Sequence, residues 1–354
     1  MQTDTLIIGG GLAGLALADA LHKVGRDFQL IEARDRLGGR ILSENTAGAA
    51  FDLGPAWFWP GQPRMAALIK RFGLQWFEQY STGDLMYEDQ NGVQRGQGFA
   101  SMEGSYRLAG GFGALVAALA QSLPGDRVMR STPISGLTLH DDKIAVEIER
   151  ETISANRVVL AVPPRIAANM SFEPALPPSA ITAMQNVATW MAGQAKAIAV
   201  YDNPFWREAG LSGDAMSRVG PMVEIHDASP KSGDKFALFG FIGTPPSNRR
   251  DEERLRQHIS AQLVRLLGPK AGSPLDLFVK DWAFDPRTST QADLAPLTVH
   301  PHYGLPPAMT DLWEGRVIFG GTEVAPEFGG YLEGALEAAE IAIRRLSINS
   351  ETTL

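Results

Sequence analysis

The run "TLIIGGGLAGLALADAL", Thr5 to Leu21, leaves the N-terminus of this chain little choice of fold. Thr5 to Ile8 reads as a short strand, Gly9-x-Gly11-x-x-Gly14 as a turn, Ala13 to Val24 as an Ala/Leu-rich helix, and Phe28 to Ile31 as a second strand. The three glycines have separate tasks. Gly9 makes the tight turn, Gly11 lets backbone approach a pyrophosphate, and Gly14 lets the helix pack close to the strand. The helix N-terminus offers unpaired N–H groups to the anion, and Glu32 ends the second strand at the spacing of an acid that bonds a ribose hydroxyl. Leu12 and Ala13 in the turn, and Ala33 and Arg34 after the acid, join them as candidate contacts of a dinucleotide.

At 354 residues, 44% hydrophobic and 20% charged, the chain is long enough for two domains with cores of their own. Strands and helices alternate at both ends, and the middle is richer in strands. This pattern predicts an α/β fold in which a Rossmann-like, doubly wound domain is interrupted by a smaller α+β substrate domain. The expected boundaries are 1–72, 108–187 and 283–354 for the dinucleotide domain, with 73–107 and 188–282 forming the substrate domain. Gly38 to Gly61 reads as a Gly-rich loop, Arg64 to Phe72 as a helix, and Asn91-Gly92 as a hairpin turn. "EPALPPSA", 173–180, and "GTPPSN", 243–248, read as loops, Asp251 to Leu267 as an amphipathic helix, Arg316 to Phe319 as the last strand and Glu333 to Leu346 as the last helix.

A net charge of −8 without a basic cluster argues against a nucleic-acid partner. There are no cysteines, which rules out disulfides and thiolate metal sites and suits a reducing compartment, so a cytoplasmic location is expected. The apolar opening lacks a basic n-region, carries Asp4 and is broken by glycines, so it reads as fold, not as a signal peptide. No uninterrupted apolar run approaches the length of about eighteen residues that suggests a membrane helix. His300 and His302 in "HPHYG" lack a third ligand and do not make a metal site.

The turn motif alone does not choose between NAD and FAD. "EARDRLGGR", Glu32 to Arg40, continues the unit with Gly38, Gly39 and Arg40, and here the sequence resembles the flavin-containing amine oxidase family, which includes monoamine and polyamine oxidases. "FDLGPAWFWPGQPR", Phe51 to Arg64, resembles the family segment beside the flavin ring and contributes Leu53, Gly54, Pro55, Ala56 and Trp57. Ile134 falls where a backbone contact to adenine is usual, and "VVLAVPP", 158–164, is another family mark. "VIFGGTEVAPEFGGYLEGALEAAEIA", Val317 to Ala342, is similar to the C-terminal flavin signature. The resemblance places Gly321, Thr322 and Glu323 along the ribityl and pyrophosphate, and Gly330, Tyr331 and Leu332 at the start of a helix whose positive end faces the flavin. It implies FAD as cofactor, bound non-covalently because the family's attachment cysteine is missing.

"MAGQAKAIAVYDNPFW", 191–206, poses a conflict that the resemblance resolves. In strict alternation Lys196 shares an apolar strand face with Ile198 and Val200, a place for a lysine only if it snorkels to solvent or has a function. Family oxidases carry a lysine that holds a water against flavin N5, followed by Pro-Phe-Trp, and Pro204, Phe205 and Trp206 follow here. The family also brackets the substrate amine between two aromatic rings. Tyr331 matches one; counted from Trp282, which resembles the tryptophan near the flavin, the second falls at Ala292. Trp57 and Trp59 are alternative aromatic walls, and Trp57 stands where amino-acid oxidases place a carboxylate-binding arginine, which disfavours a free α-amino acid. The resemblance thus implies oxidation of a small amine, with Lys196 and Tyr331 at the reacting face and oxygen or another acceptor reoxidising the flavin. A C–C desaturase acting on a porphyrinogen- or carotenoid-like substrate and a flavin-bound protein without turnover are the alternatives.

Overall fold

The computed structural model describes residues 1–98, 100–149 and 151–351. The glycine-rich N-terminus forms the expected unit: strand Gln2–Ile8, helix Leu12–Lys23 and strand Phe28–Ile31, the two strands parallel with Ile7 opposite Leu30. Thr152–Leu160 pairs parallel with the other side of Gln2–Ile8, and Val317–Phe319 pairs parallel with its end. Val128–Met129 extends the opposite edge, while the hairpin Gly136–His140 and Lys143–Glu147 and the strand Ser171–Glu173 complete an eight-stranded sheet.

Alternation along these strands sends their side chains to two separate cores. Ile7, Leu30, Val159 and Ile318 pack with Leu15 and Leu21 of the first helix and with Leu336 and Ala339 of the last. Leu6, Ile8, Val158, Leu160 and Phe319 pack on the other side with Ala180 and Met184 of the helix Pro178–Asn186. Helices on both faces of a parallel sheet are the doubly wound arrangement.

The second sheet has seven strands in the order Asp276–Asp281, Ala195–Tyr201, Phe236–Ile242, Met222–Asp227, Leu211–Ser217, Asp84–Asp89 and Gly92–Gly96. Ala195–Tyr201 lies inside it, antiparallel to both neighbours. Its odd-numbered residues Ala195, Ala197, Ala199 and Tyr201 meet Leu255, Ile259 and Leu263 of the helix Glu252–Leu267, which Asp251 caps by accepting from Arg254 N at 3.0 Å. Ile198 and Val200, on the even face, pack instead on Phe51, Leu53 and Trp57, joining the second sheet to the segment after the first βαβ unit. Each such fully buried aliphatic side chain contributes about 1.5–3 kcal/mol.

Two stretches read as loops contain regular structure. Ser43–Thr46 and Ala49–Asp52 form a hairpin inside the Gly-rich segment, because Ala47 and Gly48 both take positive φ (50° and 80°), as a two-residue hairpin turn requires. The Pro-rich 173–180 segment ends in the helix Pro178–Asn186, since a proline at the first helical position gives up no needed N–H. No helix among the described residues is long and apolar enough to cross a membrane.

Candidate active site

A cavity of about 480 Å³ runs between the glycine turn and the inner face of the second sheet. Its dinucleotide part is built from backbone. Gly9 sits at φ +112°, where a Cβ would lie 2.7 Å from Ala161 O, and a Cβ on Gly14 would lie 2.0 Å from Gly9 O. Gly11 has nearly free space above it and caps the first helix with no side-chain bond, which leaves the first-turn N–H groups available to an anion. Glu32 is buried; its Oε2 accepts from Gly10 N at 2.7 Å and its Oε1 from Arg34 N at 2.8 Å, and it still lines the cavity.

Leu12, Ala13, Ala33, Arg34, Gly38, Gly39, Arg40 and Ile134 line the same part, as do Gly321, Thr322, Gly330 and Leu332 from the C-terminal signature. Thr322 Oγ1 donates to Tyr331 O at 3.0 Å and accepts from Gly330 N at 3.0 Å, which fixes the turn at the head of the helix Leu332–Glu351. Glu323 is fully buried beside Arg40 Nη2 at 2.7 Å, yet neither of its carboxylate oxygens has a hydrogen-bond partner. A cradle of bare backbone at a helix N-terminus, with Glu32 and Arg40 on its wall, fits the ribose hydroxyls and the pyrophosphate of a flavin dinucleotide.

The remaining wall is apolar and aromatic: Pro55, Ala56, Trp57, Trp59, Met102, Trp190, Met191, Phe241, Trp282 and Tyr331, with Gln62, Gly54 and Lys196. Trp57 is held by Nε1 donating to Gln79 Oε1 at 2.7 Å and by edge contacts to Phe239 and His226. Trp282 Nε1 donates to Leu53 O at 3.0 Å.

Lys196 is 6% exposed, so it does not snorkel. Its Nζ donates to Gly54 O at 2.5 Å and lies 5.6 and 5.8 Å from the ring centres of Phe241 and Phe239. Burial pulls its pKa down to about 8, opposed by the field of Asp52. Asp52 is itself raised by burial although it accepts from Ser43 Oγ and from Phe112 N at the start of the helix Gly111–Gln121.

Four residues expected at the site do not line the cavity. Gly14 and Leu53 act from behind it, through helix packing and through the carbonyl that receives Trp282, and Glu323 lies under Arg40. Ala292 is a correction: it is exposed on the short turn Gln291–Asp293, away from the lining. The ring paired with Tyr331 is that of His300, stacked at 4.7 Å and 6° between planes, with Trp190 edge-on to the imidazole at 4.9 Å. His300 is not part of the lining, so one Tyr331 face is backed by the imidazole.

Met102, Trp190, Met191 and Phe241 were missed because apolar residues that line a cavity have no mark separating them from core residues. Also unanticipated is a buried network behind Trp57, in which His226 donates through Nδ1 to Asp214 at 2.7 Å and through Nε2 to Glu224 at 2.9 Å. Burial works against the imidazolium, but the two carboxylates outweigh it and raise His226 above its ordinary value. Among the described residues no group of three His, Asp or Glu is arranged to hold a metal.

Comparison with known proteins settles the class. The family profile for flavin containing amine oxidoreductases matches residues 94–346, more than half of the chain, and a profile for NAD(P)-binding Rossmann-like domains matches residues 7–72. The chain belongs to the flavin-containing amine oxidoreductase family. It is 23% identical to a probable flavin-containing monoamine oxidase A of Dictyostelium discoideum, over 95% of each chain, and 23% identical to a putrescine oxidase of Kocuria rosea, over 97% of this chain and 94% of that one. Among solved structures it resembles putrescine oxidase bound to putrescine (TM-score 0.82, 22% identity, 99% of each chain) and cyclohexylamine oxidase from Brevibacterium oxydans (TM-score 0.81, 20% identity, 99% of this chain and 100% of that one). This amine oxidase-like protein is therefore an FAD-dependent oxidoreductase, and FAD is the group its cavity takes.

Proposed function

We propose that this family member oxidises a small amine at the carbon bearing nitrogen, through Lys196 and Tyr331 at the reacting face. The observation that carries the reading is a buried ammonium, fixed by register in an otherwise apolar strand, in the aromatic part of the cofactor cavity. Bound FAD supplies the acceptor for a hydride equivalent. The substrate carbon gives up hydrogen with its electron pair and the nitrogen gives up a proton. The resulting imine takes up water to yield a carbonyl compound and ammonia or a smaller amine, while oxygen or another acceptor receives the two electrons.

The chain's share is orientation and charge. Lys196 uses one N–H on Gly54 O and keeps the others for a water, and its positive charge favours the substrate as a neutral amine. Tyr331, with His300 against one ring face, orients that amine with the other. Trp57, Trp59, Met102 and Phe241 supply apolar walls that exclude bulk water.

The test is an anaerobic stopped-flow screen of flavin bleaching with primary, secondary and cyclic amines. Rapid bleaching by at least one amine, slowed when Tyr331 is replaced by alanine, is the expected result. Bleaching by none of a broad panel, with flavin bound, overturns the proposal.

A further inference from the structure

Past Asp281 the chain leaves the second sheet and runs back along the dinucleotide part of the cavity, where a carboxylate pins it. Asp285 Oδ1 accepts from Arg34 Nη2 at 2.6 Å and from Arg287 N at 3.0 Å, and Oδ2 accepts from Lys280 Nζ at 2.9 Å. The same Arg34 nitrogen reaches Thr288 Oγ1 at 3.1 Å, and Arg34 Nη1 lies 3.7 Å from Glu32. Asp285 and the Arg34 side chain are 8% and 16% exposed, so the pair is largely withdrawn from solvent.

The placement distinguishes this pair from an ordinary joint. It ties residues 251 apart in sequence, and both partners sit among cavity-lining groups: Arg34 beside Glu32 on one side, Arg287 and Thr288 on the other. Breaking it removes the charged anchor shared by Arg34 and the 285–288 turn, which lines the cavity through Arg287 and Thr288. A chain without cysteine has no thioether to tether a flavin, so contacts of this kind set how long the cofactor stays.

We propose that Asp285 is a cofactor-retention residue, the buckle of a clasp formed with Arg34, Lys280 and Thr288 over the part of FAD received by Glu32. It is a positioning residue, acting through Arg34 and the 285–288 turn. The proposal rests on FAD as the cofactor and is independent of which substrate is oxidised.

The experiment follows the rise of free-FAD fluorescence after dilution of holoenzyme, together with melting of holoenzyme and apoprotein. Asp285→Asn keeps the shape and removes the charge. It should speed FAD release on the order of tenfold, because a cavity wall that loses its anchor lets the ligand leave more readily and affinity changes fall mainly on dissociation. It should also narrow the gap between holo and apo melting temperatures. Lys280→Met, which leaves the Arg34 pair intact, should speed release less. Wild-type release from Asp285→Asn, with both melting temperatures lowered equally, would show a structural joint only and overturn the proposal. Should Asp285→Asn not fold, Thr288→Val decides, by release at least about threefold faster or unchanged.

Discussion

Replacing Lys196 by methionine tests the burial of this ammonium quantitatively. The native structure lowers its pKa from the ordinary 10.5 to about 8, with burial the larger influence and Asp52 opposing it. At about 1.4 kcal/mol per unit, the protein bears a cost of about 3 kcal/mol for holding the charged form. The sign follows from protonation in the two states. Below pH 8 both are charged and the cost is complete; it shrinks as pH rises from 8 to 10.5, and above that neither is charged and it is gone. Methionine fills similar space without charge but leaves Gly54 O without its donor, a loss of about 1.5 kcal/mol. The variant should therefore be about 1.5 kcal/mol more stable than wild type at pH 7 and less stable by about as much near pH 10.5. Urea unfolding of the two apoproteins at pH 7, 8, 9 and 10 measures the difference, with the other titrating groups cancelling. A difference that stays flat over this range refutes a buried, titrating Lys196. In the loaded enzyme, whatever pH dependence of flavin reduction Lys196 contributes should disappear in the same variant.

Two further perturbations probe the frame around it. Gly14→Ala would put a Cβ 2.0 Å from Gly9 O, so the helix must shift off the pyrophosphate turn; overpacking of this kind costs about 1–3 kcal/mol, and titration of apoprotein with FAD should show affinity down by at least about tenfold. His226→Phe removes an imidazolium whose pKa is raised by Asp214 and Glu224 against the opposing effect of burial. The wild-type stability that it contributes is complete below the ordinary histidine pKa and fades as pH rises through the raised one. The variant should thus lose about 3 kcal/mol at pH 6 and less at pH 9, as seen in denaturant midpoints; an equal loss at both would exclude the charged form.

The parts of the site written in backbone constraints were legible, because a glycine turn is specified locally. Gly14 is glycine where a Cβ would lie 2.0 Å from Gly9 O, a contact inside the turn itself, and Gly9 holds a φ of +112° that the turn alone demands. Lys196 stood out for another reason: a cation in a strand of Ala, Ile and Val conflicts with its surroundings, although the strand alone reads equally as a snorkelling lysine and only the resemblance gives it a task; the structure buries it. Counting failed at Ala292. Between Trp282 and His300 the chain passes through short turns alone, so position along the sequence carries no fixed rise or direction, and the ring beside Tyr331 comes from His300 instead. The His226 network had a faint signal, since Glu224 and His226 alternate onto one strand face; Asp214 comes from the neighbouring strand and only pairing brings it in.

Register is what decides which surroundings the lysine meets. The strand 195–201 is buried on both faces, but the faces are not equivalent: the odd one meets the aliphatic helix 252–267, the even one the 49–57 segment that carries the Gly54 carbonyl. A shift of one residue would drive the ammonium into the aliphatic side chains of Leu255 and Ile259. In the observed register it reaches a carbonyl within the cavity wall, while Ile198 and Val200 behind it close the joint between the sheets. The packing that seals the two layers is thus the packing that aims Lys196 into the cavity, so loosening at Ile198 or Val200 acts on the proposed reacting face without touching it.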